Sequence, residues 1–108
     1  MSELPAVTDA SWDEEVLGRS EPVLVDFWAT WCKPCAALEP TVAEMAERYR
    51  DRMSVVSLNV DENPGAASSH SVLSLPTLIL FREGAEIERV VGNVRSKKLD
   101  KTLAKHLG

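Results

Sequence analysis

The sequence predicts an α/β fold in which a central mixed β-sheet is flanked by helices on both faces. Residues 22–29 are nearly all apolar, as in a strand covered on both sides, and residues 53–60 form a second strand of this kind. A helical stretch between these strands requires them to pair in parallel. Residues 77–81 and 86–91 flank a turn containing Gly84, which indicates an antiparallel hairpin. A mixed sheet accommodates both kinds of pairing.

Two of the predicted helices lie in the N-terminal half of the chain. Residues 8–17 form a short helix in which Ser11 and Glu14 have capping-box spacing, and a short strand is expected before it. The second helix begins at Pro34 and continues past Pro40, which lacks a backbone N–H and is expected to kink it. Its core-facing side consists of apolar residues at helical spacing: Leu38, Val42, Met45, Ala46 and Tyr49.

Two further helices follow the second strand. Asn63 and Pro64 place an N-cap residue before a proline at the first helical position, which opens a short helix ending near His70. The closing helix covers residues 96–107 and spaces three leucines at helical intervals: Leu99, Leu103 and Leu107. Basic residues between positions 95 and 105 then form a solvated face opposite these leucines.

Length and composition indicate a single soluble domain covering residues 1–108. Hydrophobic residues make up 44% and charged residues 27%, an ordinary balance for a globular protein that builds its core without structural disulfides. There are 17 Asp and Glu against 12 Lys and Arg, so nucleic acid is not an expected partner. At this size, a monomer is the default expectation.

The N-terminal segment predicts a cytoplasmic protein. Residues 1–7 contain Glu3 and no apolar run, so no secretory signal is expected there. No segment approaches the ~20 apolar residues that span a membrane. Without a signal or a membrane span, the expected location is the cytoplasm, where thiols are kept reduced.

The two cysteines, Cys32 and Cys35, lie where the first buried strand gives way to the long helix. A helix N-terminus exposes N–H groups and carries partial positive charge, so a cysteine there ionises more easily. Pro34 fits the first turn without losing a helical hydrogen bond. The i,i+3 spacing brings Cys35 within reach of Cys32. Cys32 would attack a substrate disulfide, and Cys35 would resolve the mixed disulfide.

Two other interpretations of the cysteine pair are weaker. A structural disulfide closing so small a loop stabilises the fold by about 2 kcal/mol, against about 4 kcal/mol or more for a long loop. Half of a zinc site would need two further ligands. His70 and His106 are isolated residues far along the chain, so no metal site is expected.

The stretch from Val25 to Cys35, Val-Asp-Phe-Trp-Ala-Thr-Trp-Cys-Lys-Pro-Cys, resembles the active-site segment of the thioredoxin family. Three further matches follow in the same order and at similar spacing: Asp61-Glu62-Asn63-Pro64, Leu75-Pro76-Thr77 and Gly92. The resemblance covers nearly the whole chain. It implies the thioredoxin fold, protein-disulfide reduction in cell redox homeostasis and no bound cofactor. It also implies electron transport from NADPH through a thioredoxin reductase.

The resemblance, and not the sequence pattern, also implies a cis peptide bond before Pro76. Such a bond would set the Leu75 backbone beside the cysteines, where an extended substrate can pair with it. Trp31, Leu75, Pro76 and Gly92 then resemble the shallow apolar surface that accepts a partner protein. For Trp31 and Leu75 the alternative is ordinary core packing, which is the role we expect for Trp28.

Asp26 interrupts the apolar run of the first strand. A buried carboxylate is unfavourable unless it is paired, and desolvation raises its pKa. In the family, the matching aspartate helps to move the proton of the buried resolving cysteine. The alternative is an aspartate whose oxygens are satisfied by nearby backbone groups or water.

Among the residues that depart from the commonest family pattern, two bear on Cys32 and Asp26. Lys33 stands where glycine is usual, and a cation beside Cys32 favours its thiolate and thus a slightly more oxidising potential. Alternatively, Lys33 only steers acidic partners. Ser57 stands where many relatives carry lysine, so Asp26 loses a cation that would keep it ionised.

Two other function classes remain open. The same fold could serve as a binding module in which redox chemistry is not essential, although both cysteines, Asp26 and Pro76 are present. A disulfide-forming oxidase would usually need an oxidising compartment and hence a signal. A measured reduction potential separates the oxidase from a reductase, and a Cys32→Ser variant separates the binding module from both.

Overall fold

A computed structural model describes residues 4–108 of the chain. Residues 1–3 lie outside the described part, and with them Glu3, on which the expectation about the signal segment partly rests. In chain order the elements are a π-helical turn (Asp13–Leu17), β1 (Val23–Trp28), α1 (Lys33–Arg48), β2 (Ser54–Asn59), α2 (Pro64–Ser69), β3 (Thr77–Arg82), β4 (Ala85–Val91) and α3 (Ser96–Leu107). Among the described residues, no helix has the length and apolar character to cross a bilayer.

The four strands form one mixed sheet in the order β2-β1-β3-β4. β1 pairs with β2 in parallel, with Asp26 opposite Ser57, and it pairs with β3 in the antiparallel sense. β3 and β4 form the predicted hairpin, whose turn places Glu83 and Gly84 at φ values of 51° and 82°. Two successive positive φ values match the twist of the flanking strands and favour a tight turn. The predicted mixed sheet is confirmed.

The sheet carries a separate apolar core on each face. Successive residues of β1 alternate between the faces, as the pleat of a strand requires. Val25 and Phe27 pack with Trp12 and the alanines of α2. Leu24 packs on the other face against α1 and α3. The expected placement of helices on both faces is therefore confirmed.

The N-terminal segment differs from the sequence expectation. The predicted Ser11–Glu14 capping box is wrong, because Ser11 lies in the turn that precedes the helix. Its hydroxyl accepts the Thr8 N–H at 3.0 Å, and the Thr8 hydroxyl accepts the Ser11 N–H at 3.1 Å. The expected first strand is reduced to one bridge, in which Ser57 donates to Pro5 and accepts from Val7, both at 2.9 Å.

The helix boundaries after residue 30 agree closely with the prediction. α1 runs to Arg48 without a break at Pro40, and α3 covers residues 96–107. Asn63 precedes α2 as expected, but its side chain does not cap the helix. Instead, the Asp9 carboxylate accepts the N–H groups of Gly65 and Ala66, both at 2.8 Å.

Candidate active site

Cys32 and Cys35 are joined by a disulfide at the junction of β1 and α1. Their Cα atoms lie 5.3 Å apart, a separation that the first turn of a helix provides. Cys32 is the residue immediately before α1, with an extended backbone, and Pro34 occupies the first turn. The Cys35 N–H donates to the Cys32 sulfur at 3.2 Å. The helix start therefore directs a backbone donor at the first cysteine.

The two cysteines differ in accessibility. Both are buried, but Cys32 is 5% exposed and Cys35 is 1% exposed, so Cys32 is the more accessible of the two. Both cysteines pack with Ala29, and Trp28 and Leu75 contact this cluster from the side. An incoming disulfide would meet Cys32 first, which leaves Cys35 for an internal step.

The Leu75–Pro76 peptide bond is cis, as the resemblance implied. Leu75 is partly buried and contacts the cysteine cluster. The Gly92 N–H donates to the Pro76 carbonyl at 2.8 Å, and Gly92 has a φ of 86°, which side chains other than glycine rarely tolerate. These residues, predicted from separate parts of the chain, therefore meet at one end of the sheet.

Trp31 lies on the surface, so the alternative of core packing is wrong for this residue. It is 66% exposed, and its indole N–H donates to the Asp61 carboxylate at 2.8 Å. A shallow cavity of about 210 Å³ lies between the indole and the chain that leads to Pro76. Its lining is mainly apolar: Trp31, Val60, Val72, Leu73, Ser74 and Leu75.

Leu73, which was not predicted as a site residue, is 93% exposed on the rim of this cavity. The available signal was a leucine in the loop after α2, between Val72 and Ser74 and outside any helical or strand periodicity. A fully exposed leucine beside a reactive disulfide enlarges the apolar surface formed with Trp31.

Asp26 is 1% exposed, and its Oδ1 atom has no hydrogen-bond partner among the described residues. No backbone group therefore satisfies this oxygen. Burial raises the pKa of Asp26 to about 7, and the negative charge of Glu39 on α1 adds to the rise. Glu39, one helical turn after Cys35, was not predicted as a neighbour, although its i+4 position was a signal.

Lys33 and Pro34 are both exposed at the first turn of α1, beside Cys32. Ser57 is buried in β2 and lies opposite Asp26, so the structure brings this departure next to the buried carboxyl. Among residues 4–108, no group of three or more His, Cys, Asp or Glu side chains is placed to hold a metal ion.

Comparison with known proteins matches the thioredoxin family model over residues 3–105. Thioredoxin 1 from Synechococcus elongatus is 50% identical over 99% of this chain and all of its own length. A thioredoxin from Synechocystis sp. is 48% identical over the same shares. A thioredoxin from Mycolicibacterium smegmatis is 49% identical over 81% of this chain and 80% of its own length. The chain belongs to the thioredoxin family.

Membership of the thioredoxin family confirms the resemblance drawn from the residues around Cys32. It also confirms the fold: the mixed sheet with helices on both faces is the thioredoxin fold.

Proposed function

We propose that this chain is a protein-disulfide reductase that works by thiol–disulfide exchange. One observation carries the proposal: the Cys32–Cys35 disulfide lies at the start of α1, beside the cis Leu75–Pro76 bond. This disulfide is the oxidised product of one turnover. The reduced dithiol form is the reactant.

Cys32 begins the reaction as a thiolate. It attacks one sulfur of the substrate disulfide, which forms a mixed disulfide and releases the first substrate sulfur as a thiolate. Cys35 then loses its proton and attacks the Cys32 sulfur. That step closes the Cys32–Cys35 bond and releases the second substrate sulfur. The substrate disulfide gains two electrons and the cysteine pair loses two. Cys35 supplies one of the two protons that complete the substrate thiols, and the other comes from the solvent, which took up the Cys32 proton when the thiolate formed.

The start of α1 activates Cys32. The sulfur accepts the N–H of Cys35, and the positive end of the helix dipole favours a thiolate at this place. Lys33 adds a cation in the same turn. Pro34 fixes the backbone of that turn without removing a helical hydrogen bond.

Asp26 is proposed as the acceptor of the Cys35 proton. The carboxyl lies on the strand that leads to the cysteines, on the sheet face that α1 covers, and its Oδ1 is free to accept. A group with a pKa of about 7 both takes and returns a proton near neutral pH. Ser57, opposite Asp26, supplies no charge that would keep the carboxyl ionised.

The apolar surface around the disulfide is proposed to bind the substrate segment. Trp31, Leu75, Pro76 and Gly92 form it, and Leu73 extends it. The backbone at Leu75 offers hydrogen bonds to an extended chain, as an additional strand would use them. Gly92 leaves room for a substrate at this surface, because a Cβ at this position would project into open space.

The cycle requires an external two-electron donor because the reductant is consumed at every turnover. We propose a thioredoxin reductase drawing on NADPH as this donor, with no cofactor bound to the chain itself. We further propose a monomeric, cytoplasmic protein consisting of a single thioredoxin domain over residues 1–108. The proposed partners are disulfide-containing proteins, and neither nucleic acids nor membranes are proposed as partners.

The test follows NADPH consumption with a thioredoxin reductase and a disulfide-bonded protein substrate. Rapid turnover is expected for the unchanged chain and none for Cys32→Ser. The matched variant Cys35→Ser is expected to accumulate the mixed disulfide, because the resolving sulfur is missing. No turnover by the unchanged chain with the reductase or with a chemical dithiol would contradict the proposal and favour a binding module.

A further inference from the structure

The 12 Lys and Arg residues are distributed unevenly over the molecule. Four arginines outside α3 pair with carboxylates at 2.7–3.5 Å: Arg19, Arg48, Arg50 and Arg89. Arg52 and Arg82 donate instead to carbonyl oxygens at the C-terminal end of the chain. Apart from Lys33, the remaining cations lie on α3 or immediately before it: Arg95, Lys97, Lys98, Lys101 and Lys105.

These five cations form what we call the α3 basic face. All five are exposed, and within the described part of the chain none of them has an ion pair. At about 100° per residue, the four lysines fall within an arc of about 100° around the helix. The opposite side of the helix carries Leu99 and Leu103, both buried. With Thr102, the basic face lines an open concavity of about 540 Å³.

Helix stability does not explain this arrangement. Lys97, Lys101 and Lys105 are spaced at i,i+4, where like charges repel each other. Lys97 and Lys98 lie in the first turn, where the helix dipole favours acidic residues, and this turn contains none. The face therefore concentrates positive charge that no salt bridge in the described part of the molecule pairs; Glu88, which is bonded to His106, also interacts with the charge of Lys105.

We propose that the α3 basic face docks an acidic surface of the redox partner. This inference rests on the proposed function, because the docking acts by bringing the partner's disulfide to Cys32. Arg95 lies three residues after Gly92, whose N–H is bonded to Pro76, so the face begins beside the substrate surface. The Ser96 hydroxyl donates to Glu44 at 2.8 Å, which holds the start of α3 against α1.

Charge complementarity selects the partner. The whole chain carries a net charge of −5, so an acidic protein is repelled by most of the surface and attracted by this face. Such a field orients the encounter and raises the association rate. A nucleic acid fits less well. No aromatic side chain lines the concavity to stack on a base, and a long polyanion would extend over acidic surface.

The experiment compares two disulfide-linked peptides that differ only in a terminal tag. One carries a run of glutamates and the other an equal run of glutamines, each joined to the substrate cysteine by a flexible linker of about six residues, which spans about 20 Å. The second-order rate constant for reduction is measured with the dithiol form of the full chain. Each rate is measured at low ionic strength and at about 0.3 M salt.

We expect the glutamate peptide to react about fivefold faster at low salt, and the difference to vanish at high salt. The variant Lys98→Gln/Lys101→Gln should lose most of this preference while its rate with the glutamine peptide stays unchanged. The matched control Arg19→Gln/Arg50→Gln changes the net charge equally on other surfaces and should keep the preference.

Several results would overturn the proposal. Equal rates for the two peptides, or equal losses in both double variants, would leave no role for the location of the charge. Loss of the preference in Lys33→Gln alone would assign it to the cation beside Cys32. Tighter salt-sensitive binding of a single-stranded oligonucleotide than of polyglutamate would make the face a nucleic-acid site. If neither peptide is reduced, the proposed function fails first.

Discussion

Both α1 and α2 begin with a proline in the first turn, yet different atoms accept their first N–H groups. At α2, the Asp9 carboxylate accepts two N–H groups, both at 2.8 Å. At α1, the acceptor is the Cys32 sulfur, a weak acceptor, at 3.2 Å. Close to α1, Asp26 is buried with one oxygen that has no partner. The start of α2 donates to a carboxylate in two strong hydrogen bonds. The start of α1 donates only to the Cys32 sulfur, so its N–H groups can stabilise a thiolate there.

The comparison shows how the same residue type serves stability in one region and chemistry in the other. Asp9 is exposed, and its oxygens are directed at backbone donors. Asp26 is buried, so desolvation disfavours its charged form. Removing each carboxylate should therefore change the free energy of unfolding in opposite directions.

The largest effect is expected from Asp26→Asn. The pKa of Asp26 is about 7 in the folded chain and 3.8 in a model peptide, so the folded state binds more protons between these values. Stability from this group is therefore lost as the pH rises from about 4 to about 7. The difference between these two pKa values corresponds to about 4 kcal/mol of folding free energy. Urea unfolding of both proteins should show the Asn variant gaining by this order between pH 4 and pH 8. If the difference in unfolding free energy between the two proteins did not change with pH, burial would not be the cause of the raised pKa.

The next effect is expected from Asp9→Ala, with the opposite sign. Loss of a helix cap with two hydrogen bonds should lower the free energy of unfolding by about 1–2 kcal/mol. Because Asp9 lies outside the proposed active site, the rate of disulfide reduction at 25 °C should not change. Asp51→Ala, at another exposed aspartate, serves as the control and should alter stability by less than about 0.5 kcal/mol. Equal losses in the two variants would remove the contrast.

Ser57→Lys should give the Asp26 carboxylate a charged partner, just as the Asp9 carboxylate has two N–H partners at the start of α2. A cation in the position opposite Asp26 should lower the pKa of that carboxyl by about 1. Titration of the Asp26 carboxyl carbon by NMR in both proteins measures the change. Identical titration curves would show that the lysine ammonium does not reach the carboxylate.

The smallest effect is expected from Lys33→Gly at the start of α1. Removal of an exposed cation beside Cys32 should destabilise its thiolate slightly and make the reduction potential a little more reducing. Equilibration of each protein with a glutathione buffer measures the potential. A potential that stays the same or becomes more oxidising in the variant would refute the role of Lys33.

Features written in contiguous residues were predictable from the sequence. The three leucines of α3 and the turn at Gly84 each occupy one short stretch, so their periodicity and turn chemistry predict the element directly. The cysteine pair was predictable for the same reason, since spacing and position at a helix start suffice. The cis bond before Pro76 was predictable only through the family resemblance.

Features that join distant residues were not predictable in this way. Asp9 and Gly65 are 56 positions apart, and nothing local to either one indicates that a carboxylate will cap that helix. The proximity of Glu39 to Asp26 likewise depends on how α1 packs on the sheet. Leu73 was missed because exposure of a leucine depends on what the fold leaves uncovered.

The bridge between residues 5–7 and Ser57 has a consequence for the outer edge of the sheet. β2 is an edge strand of the sheet. The bridge uses the backbone N–H and C=O that Ser57 would otherwise present to solvent. Unpaired groups along such a border are a template for strand exchange and aggregation between molecules. Residues 5–7 therefore cover part of the exposed edge of β2, which disfavours strand pairing between molecules. A chain shortened past Val7 would lose this cover.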